Sequence, residues 1–61
     1  MNEILEVLMN RDNMTKKEAI ELIKEARKQL NIYLEEGDLE SAENICEEFF
    51  GLEYDYIFDL I

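Results

Sequence analysis

From Thr15 to Asp38 the chain reads TKKEAIELIKEARKQLNIYLEEGD, and this stretch decides the fold. Ala19, Ile23, Ala26, Leu30 and Tyr33 recur at steps of 4, 3, 4 and 3, which is the spacing of a helix face and not the alternation of a strand. Ile20, Leu22, Ile32 and Leu34 broaden that stripe. Thr15 followed by Glu18 forms the S/T-x-x-E pattern that satisfies two free amides at a helix N-terminus. Gly37 ends the run, and Asp38 is suited to cap whatever follows. A helix of roughly six turns is therefore predicted over residues 15–36.

Toward the C-terminus, Leu39, Ala42, Ile45, Cys46, Phe49 and Phe50 keep helical spacing up to Gly51, which predicts a second hairpin helix over 38–50. Beyond Gly51, Tyr54, Ile57, Phe58 and Ile61 form one stripe, and Tyr56 with Leu60 a second. A short C-terminal helix over 54–61 is expected, apolar around most of its girth except at Asp55 and Asp59. Toward the N-terminus, Arg11-Asp12-Asn13 reads as a polar turn. It closes a short helix within 1–13 whose face is Ile4, Leu5, Leu8 and Met9, with Glu3 and Glu6 turned away.

The reading is one all-α domain spanning residues 1–61, a helical hairpin with short flanking helices. Chains this short usually need a staple. The single Cys46 excludes an intrachain disulfide, and the absence of histidine removes an ordinary zinc site. Self-association is the remaining route, so the hairpin is expected to be completed as a homodimeric helix bundle. Ile23, Leu30, Ile45, Phe49, Phe50, Ile57, Phe58 and Leu60 would form its core and dimer seam.

Charge is partitioned along the chain. The formal net charge is −10, from 16 acidic and 6 basic residues. All six bases, Arg11, Lys16, Lys17, Lys24, Arg27 and Lys28, precede residue 29, where six acids balance them. Residues 29–61 hold ten acids and no base. Such a segment suits a basic surface on another protein, including one that holds nucleic acid, because rows of carboxylates imitate a phosphate backbone. A solvated face that merely keeps molecules apart is the competing reading. Direct nucleic-acid binding is not expected of a chain so acidic.

Five of the six aromatics, Phe49, Phe50, Tyr54, Tyr56 and Phe58, fall within ten residues. Core packing accounts for rings at helical spacing. Tyrosines set among acids, as in Glu53-Tyr54-Asp55-Tyr56, also suit a protein-binding hot spot. Glu40, Glu43, Glu47, Glu48, Glu53, Tyr54, Asp55, Tyr56 and Asp59 are the candidate protein-binding residues.

Catalytic chemistry finds little footing. Glu43 and Glu47 are four apart, and Glu36 and Glu40 span the turn, yet a carboxylate di-iron site draws on Glu-x-x-His pairs and no histidine exists here. Cys46 lies on an apolar stripe and Ser41 in a first helical turn, and neither has a histidine to activate it. The two glycines, Gly37 and Gly51, make no phosphate loop. No cofactor, no metal and no enzymatic activity are expected. The opening MNEILEVLMN lacks a basic n-region and is interrupted by Glu3 and Glu6, unlike a signal peptide. No segment approaches the roughly 18 apolar residues of a membrane span. With its lone cysteine, a cytoplasmic chain is the expectation.

Three features together carry a resemblance: Met14-Thr15-Lys16-Lys17-Glu18-Ala19, the Gly37-Asp38 turn, and the ending Gly51-Leu52-Glu53-Tyr54-Asp55-Tyr56-Ile57-Phe58-Asp59-Leu60. Over Met14 to Ile61 the chain resembles short acidic helical proteins of phages and prophages of Gram-positive bacteria. The resemblance implies a phage context in the bacterial host cytoplasm, where small acidic proteins inhibit host or antiviral defence proteins by binding as compact dimers. The first 13 residues lie outside it. The rival expectation is a structural or regulatory oligomerisation module with no inhibitory role.

Overall fold

Asn2 starts the first helix by offering its side-chain oxygen to the amides of Ile4, at 2.8 Å, and Leu5, at 3.4 Å. Two of the amides that a helix start leaves unpaired are met in this way. The computed structural model describes residues 2–61, and α1 spans Glu3–Arg11. Met1, included in the helical segment expected over 1–13, lies outside the described residues. Ile4 and Leu8 face inward and are fully buried. The chain turns at Asn13, whose φ of 56° is the left-handed conformation that asparagine tolerates better than most residues.

Helix α2, Lys16–Glu35, is the wall on which everything else packs. Thr15 Oγ1 accepts the Glu18 amide at 3.2 Å, and the Glu18 carboxylate accepts the Thr15 amide at 2.9 Å, so both halves of the capping box form. These bonds hold the Glu18 carboxyl below its ordinary value. Twenty residues at about 1.5 Å each give roughly 30 Å, which accounts for the longest dimension of the 33 × 19 × 18 Å molecule. Ala19, Ile23, Ala26 and Leu30 are buried. Two alanines on that face let neighbouring helices approach closely. At its C-terminus the amide of Asp38 reaches the Tyr33 carbonyl at 2.9 Å and that of Gly37 the Leu34 carbonyl at 3.2 Å. This pair of bonds is a Schellman closure, with Gly37 at φ 73° in the position that favours glycine.

The second hairpin helix expected over 38–50 is divided. Helix α3 spans Leu39–Glu43 and α4 spans Ile45–Phe50, with Asn44 between them at φ −93°, ψ 6°. The Asn44 amide is shared between the carbonyls of Ser41, at 3.2 Å, and Glu40, at 3.3 Å. That sharing tightens the turn locally toward 3₁₀ geometry and bends the path. Apolar periodicity runs through Asn44 unbroken and so carries no sign of the bend. Ala42, Ile45, Cys46 and Phe50 line the inner side on both sides of it.

The C-terminal segment is also in two parts, a 3₁₀ turn at Tyr54–Tyr56 and a single turn of helix, α5, at Ile57–Leu60. It lies against both α1 and α2. Of the two stripes read in the sequence, the one containing Leu60 faces the core. Leu60 is fully buried, while Tyr56 and Ile57 are half-buried. The other stripe is split: Ile57 packs against the core, whereas Tyr54, Phe58 and Ile61 are exposed. Phe58, expected in the core or at a dimer seam, is outside the core of the single chain, because two residues from Leu60 is about 200° around a helix. Ile23, Leu30, Ile45, Phe50 and Leu60 are buried in that core, and Phe49 packs at its edge. The chain is all-α, with no strand among the described residues. No helix among them is long and apolar enough to cross a membrane.

Candidate protein-binding surface

Three side chains fix the C-terminal segment, each by donating to a backbone carbonyl near a helix end. Arg11 donates from Nη2 to the Phe50 carbonyl, where α4 stops. Its Nε and the same Nη2 also grip both oxygens of Asp12 at 2.9 Å. The contact raises the Arg11 pKa and lowers that of Asp12. Asn2 donates from Nδ2 to the Asp59 carbonyl at 2.8 Å. Arg27 donates from Nε to the Leu60 carbonyl at 2.6 Å. Carbonyls of a last helical turn have no intrahelical partner, so these contacts supply what so short a helix lacks.

Gly51, at φ 65°, aims the chain out of α4, with its amide on the Glu47 carbonyl at 3.0 Å and the Leu52 amide on the Cys46 carbonyl at 3.2 Å. Glu53 is extended. The Asn2 contact then brings the start of α1 beside the tail. Glu3, Glu53, Asp55, Tyr56 and Asp59 together frame a surface concavity of about 230 Å³. Four carboxylates and a phenol, with no base among the described lining residues, can accept an ammonium or guanidinium group. On the same segment Tyr54 is 71% exposed and Phe58 74% exposed.

Glu40, Glu43, Glu47 and Glu48 are exposed on the outer side of α3 and α4. Glu47 and Glu48 with Asn44 line a second, open concavity that shares no residue with the first. Of the nine candidate binding residues, Glu53, Asp55, Tyr56 and Asp59 line the first concavity and Glu47 and Glu48 the second, while Tyr54, Glu40 and Glu43 line neither. Tyr33 crosses from α2 to donate to the Glu48 carboxylate at 3.3 Å. Burial raises its phenol pKa, and the Glu48 charge adds to the effect.

Glu3 and Phe58 belong to the tail surface but were not among its sequence candidates. Asn2 could have pointed to Glu3, since an asparagine just before an apolar run reads as a helix cap, but nothing local says that its amide reaches residue 59. Cys46 is fully buried, and burial followed by the negative charges of Asp55 and Asp59 pushes its thiol up. No three His, Cys, Asp or Glu side chains among the described residues stand together as metal ligands. Glu36, Glu40, Glu43 and Glu47 are all exposed. Comparison with known proteins gives no match to a protein family, to a curated protein or to a solved structure.

Proposed function

We propose that this chain is a non-enzymatic binding protein whose tail surface docks on a basic surface of another protein. The observation that carries this reading is the pairing of two exposed rings, Tyr54 and Phe58, with the acidic concavity of Glu3, Glu53, Asp55 and Asp59. Exposed aromatics are costly to leave in water and are the usual anchors of protein interfaces, and the carboxylates around them select a basic partner. The resemblance to small acidic phage proteins gives the proposal its setting. The chain acts in the cytoplasm of a bacterial host, and its target is a host or antiviral defence protein that it inhibits by occupying a nucleic-acid-binding face.

A tagged chain used to capture proteins from bacterial lysate tests the proposal. One bound protein with a basic surface, lost as salt rises and lost from Tyr54→Ala and Asp55→Lys variants, supports it. Equal recovery with wild type and both variants refutes the surface.

One observation favours a second reading, a module that assembles with itself. Leu34 and Ile61 remain exposed on the flank of α2 beside α5, and nothing among the described residues covers them. Completion as a homodimeric bundle would do so.

A further inference from the structure

The open flank of α2 has an order of residues that complements itself. Counting about 100° per residue from Ala19, the core residues Ala19, Ile23, Ala26 and Leu30 lie within about 40° of zero. Lys16, Lys17, Ile20, Lys24, Arg27, Asn31, Leu34 and Glu35 fall between about 60° and 160° on the same count, while Glu18, Glu21 and Glu25 fall between about 200° and 260°. Leu22 and Tyr33, on the other shoulder of the core face, pack against the core, whereas Ile20 is half-buried but is not part of that packing. Leu34 is 48% exposed. Between Ile20 and Leu34, a groove of about 250 Å³ is lined by Arg27, Leu30, Asn31, Leu60 and Ile61.

Along this flank two bases and an apolar residue come first, Lys16, Lys17 and Ile20, and an apolar residue and an acid come last, Leu34 and Glu35. The midpoint of Lys17 and Glu35 is residue 26, and that of Ile20 and Leu34 is residue 27. A single two-fold axis near these residues, with two α2 helices antiparallel, sets Lys17 against Glu35 and Ile20 against Leu34 twice over. Isologous interfaces require this kind of self-complementarity. Arg27, nearest the axis, is drawn aside to the Leu60 carbonyl of its own chain. A foreign basic helix would gain from Glu35 but meet Lys17 and Lys24. A second copy pairs both ends of the flank at once, although the same axis sets Lys24 near Lys28 of the other copy.

We infer that two copies of this chain pair through the antiparallel flanks of α2, with Leu34 and Ile20 at the apolar contacts and Lys17 and Glu35 as the ion pairs. The inference rests on the self-assembly reading and leaves the tail surface of Tyr54 and Phe58 free for another partner.

Light scattering and sedimentation of the full chain, from micromolar to near-millimolar, test it. Expected is a mass rising toward twice 7.3 kDa, and a Leu34→Glu variant that stays monomeric with unchanged helical circular dichroism. Glu35→Lys should weaken the dimer about tenfold, since it affects two surface ion pairs, even though it reduces the like charge of each chain. Adding Lys17→Glu to it should restore association. A chain monomeric throughout refutes self-association itself. A dimer indifferent to Leu34→Glu, or tightened by Glu35→Lys, refutes this pairing and leaves self-association standing.

Discussion

Replacing Asn2 tests how the two ends of the chain are joined, because this one side chain makes two kinds of contact. Its oxygen caps α1 through the Ile4 and Leu5 amides, and its Nδ2 holds the Asp59 carbonyl at 2.8 Å. Loss of an N-cap costs about 1 kcal/mol, and loss of one part-buried hydrogen bond about another 1 kcal/mol. Asn2→Ala should therefore destabilise by about 2 kcal/mol, and at roughly 4–8 °C per kcal/mol for so small a domain the melting temperature should fall by about 8–16 °C. Asn2→Asp separates the two contacts. It keeps a good cap acceptor but has nothing to donate to Asp59, so it should lose about half as much. Thermal unfolding followed by circular dichroism reads both. Amide exchange at Ile61, whose amide bonds the Ile57 carbonyl at 3.1 Å, should quicken in both variants. Asn2→Asp as damaging as Asn2→Ala, or Asn2→Ala with a melting temperature within about 2 °C of wild type, would refute the double role.

Other consequences follow from named contacts. Hydrogen bonds and ion pairing hold the carboxyls of Asp12, Glu18 and Asp38 below their ordinary values. A depressed folded-state value means stability that is fully present above the unfolded values of about 4 and lost as pH falls through the folded ones, so an acid titration followed by circular dichroism should show helix loss beginning below about pH 4. In the Glu18→Gln variant that acid-dependent part should shrink. Gly51→Ala should cost about 1 kcal/mol from its φ of 65° alone, because the added Cβ meets only Arg11 Nη1 at an unstrained 4.0 Å. Denaturant melting checks it, and Gly51→Asn should cost less than Gly51→Ala. The Cys46 thiol, buried and with its pKa pushed up, should resist a thiol reagent at neutral pH in the folded chain and react promptly in denaturant.

Much of the fold was legible in local signals. The Thr15–Glu18 box, the four-three spacing from Ala19 to Leu30 and the Gly37-Asp38 turn each act within a few residues, and α2 begins and ends where they say. The bend at Asn44 was not legible. It changes hydrogen bonding without changing which residues are apolar, and hydrophobic spacing reports only the latter. The tail was ambiguous for a different reason. It has two apolar stripes, and which of their residues turn inward depends on Asn2 and Arg27, 57 and 33 residues away from the carbonyls they hold. The same long-range contacts placed Glu3 beside Asp59, so Glu53, Tyr54, Asp55, Tyr56 and Asp59 could be read from the acidic run around Tyr54, while Glu3 and Phe58 could not.

The carboxylates of residues 29–61 act on stability and on binding with opposite sign, and salt separates the two. Within the folded chain they have little to pair with. Arg11 with Asp12 is the single ion pair among the described residues, and it lies outside that segment. A net charge of −10 on a molecule of 11.2 Å radius of gyration repels itself. The screening length is about 30 Å at 0.01 M salt, about 10 Å at 0.1 M and about 3 Å at 1 M, so it passes through the size of the molecule within that range. In dilute protein the melting temperature should therefore rise steadily as salt increases. Binding of a basic partner at the tail surface should weaken over the same range, because there the carboxylates are attracted instead of repelled. A melting temperature that falls with salt would mean that attractive pairs hold the fold together, and it would remove the argument that these charges are there for a partner.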